Sequence, residues 1–216
     1  MKNLIIFDLD GTLLDTGEGI IKSLKFALKK FGFQIPDEEI CKSFVGPPLK
    51  KRFLELFDSD EQTADMLLAC FREEYGKGDL FLAHVYPGVE ECLKELRERY
   101  ALAVATNKSE TQAAQLLERF SLASYFDVIC GSDMKAALSK VQIVANAASR
   151  LGFSPADCVV VGDSGNDAEA AERLGMQFIG VTYGYGFKYA EDLTSYPYTA
   201  YAEYPMQINE IAINIF

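Results

Sequence analysis

Leu4-Ile5-Ile6-Phe7-Asp8-Leu9-Asp10-Gly11-Thr12-Leu13 joins an apolar run to two closely spaced acids. Its first four residues are apolar and rich in β-branched and aromatic side chains, as a buried strand requires. Asp8 closes that strand and Asp10 follows two residues later. In open α/β sheets, ligands bind at the carboxyl ends of the strands. Gly11 allows a sharp turn there, and two carboxylates held together are costly unless a cation compensates them. The same residues also suit a turn that caps a helix, so the rest of the chain has to decide.

From Pro87-Gly88 onward, strands and helices alternate. A helix is predicted over residues 90–100. The buried strand Ala101-Leu102-Ala103-Val104-Ala105 follows, ending at Thr106-Asn107, with Ser109 as the cap of the next helix. Phe126-Asp127-Val128-Ile129-Cys130 is the next strand, followed by a helix over 140–151. Cys158-Val159-Val160-Val161 runs into Gly162-Asp163, a helix follows over 168–174, and Phe178-Ile179-Gly180-Val181 comes after it. The tail reads as a helix at 189–193, a short segment at 198–202 and a final helix at 205–213. Apolar strands alternating with helices predict an α/β fold: a doubly wound, Rossmann-like parallel sheet covered on both faces.

Between the first strand and this region the pattern changes. Ile20, Ile21, Leu24, Ala27, Leu28 and Phe31 recur at helical spacing, and Gly32 ends that helix. Pro36-Asp37-Glu38-Glu39 is an acidic first turn, Gly46-Pro47-Pro48 interrupts, and two more helical runs carry Leu49, Phe53, Leu54 and Phe57, then Met66, Leu67, Cys70 and Phe71. The expected organisation is an α/β core at 1–14 and 85–216 with a four-helix cap domain inserted at 15–84.

The 216 residues suffice for a sizeable core. A net charge of −11 argues against nucleic acid as a partner. No apolar run has the length of a membrane span, and the N-terminus carries no secretory pattern. Five scattered cysteines without a C-x-x-C pair suit reduced thiols, so the expected location is the cytoplasm. A single histidine, His84, excludes a zinc site built on several histidines, and its Leu-Ala-His-Val-Tyr-Pro setting reads as structural.

Four element ends carry polar residues: Asp8 and Asp10, Thr106 and Asn107, Lys140, and Asp163 with Asp167. In a parallel sheet these ends converge on one edge. Carboxylates, a hydroxyl and an ammonium together are what holding a hard dication beside a phosphate requires. In order and spacing, Asp8-Leu9-Asp10-Gly11-Thr12, Thr106-Asn107, Lys140 and Gly162-Asp163-Ser164-Gly165-Asn166-Asp167 closely resemble the four motifs of the haloacid dehalogenase-like hydrolase superfamily. The likeness is to its phosphoglycolate phosphatase-like and 5′-nucleotidase-like branch, which has a helical cap after the first motif. One departure is Val141, where relatives usually place proline; Lys135 and Lys108 are the alternates to Lys140.

The resemblance implies a phosphoric monoester hydrolase acting on a small phosphorylated metabolite. Asp8 would be the nucleophile, forming an aspartyl-phosphate. Asp10 would protonate the leaving alcohol and then take a proton from water. The metal set would be Mg2+ held by Asp8, the Asp10 backbone carbonyl and Asp163, with Asp167 ligating or orienting a metal water. Thr106 and the Asn107 N–H would bind phosphoryl oxygens, and Lys140 would bridge phosphate and Asp8. In the cap, Gly46-Pro47-Pro48-Leu49-Lys50-Lys51-Arg52 resembles a stretch of the same branch and offers Arg52 as a substrate contact. Tyr183-Gly184-Tyr185-Gly186 lacks the P-loop pattern and reads as a tight loop flanking the site. Phosphoglycolate leads the substrate list, with nucleoside 5′-monophosphates next and a phosphosugar mutase as a third reading. A receiver-like or inactive regulatory domain is the non-enzymatic alternative; the insert and Asp10 speak against it. The expected state is monomer or homodimer.

Overall fold

The computed structural model describes residues 3–57, 59–133 and 138–216. They gather into two compact units, one formed by the chain up to Asp15 with Val85–Phe216, the other by Thr16–His84.

The first unit is built on a six-stranded sheet. Its central strand is β1 (Leu4–Phe7), and two-residue strands β2 (Leu14–Asp15) and β3 (His84–Val85) lie where the chain passes between the units. The remaining strands are β4 (Ala101–Ser109), β5 (Val128–Ser132), β6 (Cys158–Gly162), β7 (Gln177–Val181) and β8 (Ala200–Ala202). Their order is β5-β4-β1-β6-β7-β8, and neighbouring strands run parallel. The direction of winding reverses at β1, which makes its carboxyl end the crevice where such sheets bind ligands. All four β1 side chains are buried, as are Cys158 to Val161 of β6. Each fully buried aliphatic side chain of this kind stabilises the fold by about 1.5–3 kcal/mol. Helices α5 (Val89–Arg99), α6 (Glu110–Arg119), α7 (Lys140–Leu151), α8 (Gly165–Leu174) and α9 (Gln207–Ile215) follow strands of this sheet or lead into them.

Two helix starts matter for the site. Ser139 caps α7 in a reciprocal capping box with Gln142, so Lys140 is the first helical residue and a proline at 141 is not needed to set the helix start. Ser164 caps α8 in the same way with Asp167.

The structure differs from the expectation in two places. Strand β4 continues past Thr106 to Ser109, through an irregularity: Thr106 pairs with Gly131 and Ser109 with Ser132. The tail segment expected as a helix near 189–193 is a 3-10 turn over Ala190–Ser195; its length of a turn or two suits that tighter form.

The second unit contains α1 (Gly17–Lys30), α2 (Glu38–Lys42), α3 (Leu49–Leu56) and α4 (Glu61–Gly76). Asp37 and Asp60 accept from the backbone N–H of Ile40 and Thr63, capping α2 and α4. Phe44, Phe53 and Phe57 pack ring against ring inside it. Asp79, almost buried, accepts from the Ser23 hydroxyl at 2.8 Å and from the Lys22 ammonium at 2.7 Å. His84 is exposed beside Glu18. All five cysteines are buried and free.

Candidate active site

Asp8 stands one residue beyond β1, and its N–H continues the strand ladder to the Val161 carbonyl at 2.8 Å. The backbone therefore fixes its position at the carboxyl edge. Its carboxylate is buried and lies 2.5 Å from the Lys140 ammonium. That ammonium also donates to the Ala105 carbonyl at 2.6 Å and lies 2.8 Å from Asp167 Oδ1. Lys140 thus ties together the end of β1, the regular part of β4 and the first turn of α8. Of the alternates for its role, Lys108 points elsewhere, as described below, and Lys135 lies outside the described residues.

Asp163 follows β6 and is held by the chain after β7. Its Oδ2 accepts from the N–H groups of Tyr185 at 2.7 Å and Gly186 at 3.0 Å, and its carbonyl accepts from Phe187 N–H at 2.7 Å. This fixes one oxygen of the carboxylate against the loop. The Tyr183-Gly184-Tyr185-Gly186 segment is therefore a cradle for Asp163. The cradle depends on close approach: a Cβ on Gly184 would lie 2.2 Å from the Gly11 carbonyl oxygen and 2.5 Å from Asp163. The Tyr183 hydroxyl donates to the Thr12 carbonyl at 3.0 Å, and Tyr185 hydrogen-bonds Asp15 through its hydroxyl.

Asp8, Asp163 and Asp167 each offer a carboxylate oxygen within 4.8 Å of the others, and all three residues are buried. Burial pushes the Asp163 carboxyl up to about 7; Asp167 adds to the rise, and the two backbone N–H donors and Lys140 oppose it. Burial likewise drives Asp8 well above the usual carboxylate range, against the pull of Lys140 and with the help of Asp167, Asp163 and Asp10. Burial alone would lower the Lys140 ammonium, but Asp167 and Asp8 outweigh it and hold it above its ordinary value. Three buried acids share that one ammonium, and carboxylate oxygens gathered in this way are donors that a hard divalent cation takes.

Asp10 is buried beside this group but is not part of the carboxylate cluster; its Oδ1 lies 3.1 Å from the Lys108 ammonium. Thr106 is buried at the end of the regular part of β4, and its hydroxyl oxygen accepts from the Lys108 N–H at 3.1 Å. Asn107 lies between them, half-buried. Arg52 belongs to the second unit. There its guanidinium reaches the Ser43 hydroxyl at 2.5 Å and Glu55 at 2.9 Å and lies over the Phe44 ring. Lys50 is engaged with Glu61 and Asp65.

Two participants carried little weight in the sequence. Lys108 stands only as an alternate to Lys140, although its place directly after Thr106-Asn107 puts it at the same strand end. The backbone donors at 185 and 186 leave no side-chain signal; only the density of glycine in that segment hints at close packing.

Residues 5–181 match the family model described as haloacid dehalogenase-like hydrolase. A curated 5′-nucleotidase of Pseudomonas aeruginosa is 34% identical over 84% of this chain and 83% of its own. A phosphoglycolate phosphatase of Nitrosospira multiformis is likewise 34% identical over 84% of this chain and 83% of its own. Among solved structures, one described as a predicted phosphatase from Clostridium acetobutylicum superposes with a TM-score of 0.93 at 35% identity, covering 99% of both chains.

Proposed function

The chain belongs to the haloacid dehalogenase-like hydrolases, as a phosphatase of that family, and from that premise we propose that it is a Mg2+-dependent enzyme that hydrolyses a small phosphate monoester through an aspartyl-phosphate on Asp8. The observation that carries this reading is the convergence of Asp8, Asp163 and Asp167 within 4.8 Å, with Lys140 2.5 Å from Asp8. No arrangement of turn residues or helix caps would need to bury three acids together.

Asp8 attacks phosphorus, and the P–O bond to the alcohol breaks as Asp10 delivers a proton to the leaving oxygen. Water then attacks the phosphorus of the aspartyl-phosphate, Asp10 takes its proton, and Asp8 is released with inorganic phosphate. Lys140, the Thr106 hydroxyl and the Asn107 N–H hold the phosphoryl oxygens. Asp8, Asp163 and the Asp10 carbonyl would hold Mg2+, and Asp167 would orient a water beside it. When bound, the ion neutralises the charge between nucleophile and phosphate. The N–H donors of Tyr185 and Gly186 keep Asp163 oriented for that task, as outer partners of metal ligands do.

Residues 15–84 serve as the cap domain that selects the substrate. 2-Phosphoglycolate is the substrate of first choice, supported by the phosphoglycolate phosphatase relative; the Gly46-Pro47-Pro48-Leu49 stretch resembles phosphoglycolate phosphatase-like and nucleotidase-like members alike. The similarity to a 5′-nucleotidase makes nucleoside 5′-monophosphates the alternative. Released phosphate measured with Mg2+ over a panel of phosphorylated metabolites tests this. The highest kcat/KM is expected on 2-phosphoglycolate. A preference for 5′-nucleotides selects the second reading, and isomerisation of a sugar phosphate without phosphate release selects a mutase. No turnover of any member leaves a regulatory domain.

A further inference from the structure

Strand β4 contains a detour. Thr106 pairs with Gly131 and Ser109 with Ser132, so Asn107 and Lys108 are extra residues on one strand against none on its partner. Such irregularities bend a strand and re-aim a side chain. Here the detour closes against β5 at Gly131: a Cβ at that position would lie 2.4 Å from the Glu110 nitrogen and 2.6 Å from the Lys108 carbonyl oxygen. Glycine on β5 is thus what lets the extra residues fit. The result is a lysine whose side chain is 6% exposed, with its ammonium 3.1 Å from Asp10 Oδ1. The Lys108 N–H, donating to Thr106 Oγ1 at 3.1 Å, anchors the detour to the strand end that faces the phosphate site.

Resting on the reading of Asp10 as general acid and base, we propose that Lys108 is the positioning residue for Asp10. It grips one carboxylate oxygen, which fixes the rotation of the carboxyl group toward the leaving group and the water. Asp10 follows a short loop-like stretch and carries a side chain with two free torsions; a buried charged partner at 3.1 Å removes that freedom. Lys108 touches neither phosphorus nor the attacking oxygen in this account, and it acts only through Asp10.

The test is leaving-group dependence. In kcat/KM, which covers formation of the phosphoenzyme and not its hydrolysis, an alkyl phosphate needs the proton from Asp10 and p-nitrophenyl phosphate, with its stable leaving anion, scarcely does. K108M is compared with wild type and D10N on p-nitrophenyl phosphate and 2-phosphoglycolate. General acid help is typically worth about 10²–10⁴-fold. D10N is expected to lose about that much on phosphoglycolate and far less on p-nitrophenyl phosphate. K108M is expected to share the pattern at roughly 10–100-fold, and K108R to recover most of it. K108Q replaces K108M if the latter does not fold. Equal losses on both substrates in the Lys108 variants, with D10N still discriminating, overturn the positioning role alone. A D10N enzyme that does not discriminate overturns the reading of Asp10 itself.

Discussion

The Lys140 ammonium bridges Asp8 and Asp167, at 2.5 and 2.8 Å, joining the end of β1 to the first turn of α8, far apart in sequence. It compensates part of the charge of the acids gathered around it.

Replacing Lys140 by methionine keeps the volume and removes the charge. Breaking a buried pair by deleting one partner typically costs about 3–5 kcal/mol. The metal-free K140M protein is expected to unfold with that loss in urea denaturation, and Mg2+ is expected to raise its Tm by more than it raises that of the wild type. Turnover should fall to near background, because phosphate and nucleophile lose their shared cation. A K140M protein as stable as the wild type in chelator contradicts the role.

The raised Asp163 carboxyl makes the metal-free protein sensitive to pH in one direction. An acid that holds its proton to about 7 when folded, against 3.8 ordinarily, binds protons more tightly in the native chain. Its favourable effect on folding is therefore present at low pH and is lost as pH rises through that window. In chelator, the Tm of the wild type relative to D163N is expected to fall between about pH 4 and pH 7, the window set by those two values. Added Mg2+ should stabilise the wild type more at the upper end. A flat difference across this range refutes the assignment.

Gly184 is predicted to tolerate no side chain. G184A places a methyl group 2.2 Å from the Gly11 carbonyl and 2.5 Å from Asp163. Overpacking of this kind typically costs about 1–3 kcal/mol, and disturbing an outer partner of a metal ligand weakens metal binding by about 10–100-fold. Urea unfolding and a Mg2+ titration read the two effects separately. A G184A protein with unchanged Mg2+ affinity shows that the loop does not hold Asp163 in place.

In the inserted unit, Asp79 receives the Ser23 hydroxyl in a buried setting. D79A leaves that hydroxyl unpaired, a change that costs about 1–3 kcal/mol. Faster amide exchange is expected in α1 and α4, with exchange in β1 and β6 unchanged. Uniform acceleration throughout the chain contradicts a local role.

The architecture was legible because the strands are short apolar runs bounded by polar residues, and because winding on both faces forces such runs. Asp8, Asp163 and Lys140 were legible for the same reason: each sits where an apolar run or a helix begins or ends, and the parallel sheet brings those places together. What escaped was set by contacts with no local signature. The detour in β4 arises from a glycine on another strand, Gly131, and from pairing that composition cannot encode. The grip on Asp163 comes from backbone N–H groups at 185 and 186, which every residue but proline possesses. The charge of Arg52 and its stretch make it an expected substrate contact, and its packing on Ser43, Glu55 and Phe44 has no local signature in the sequence.

The central claim is that Asp8 carries the phosphoryl group. Mixing the Mg2+-loaded enzyme with excess 2-phosphoglycolate or p-nitrophenyl phosphate, quenching in acid within milliseconds and mapping peptides by mass spectrometry tests it most directly. One phosphoryl group is expected on the peptide containing Asp8, accumulating further in D10N on p-nitrophenyl phosphate and absent in D8N. A phosphoryl group on another residue, or D8N turning over at the wild-type rate, contradicts it.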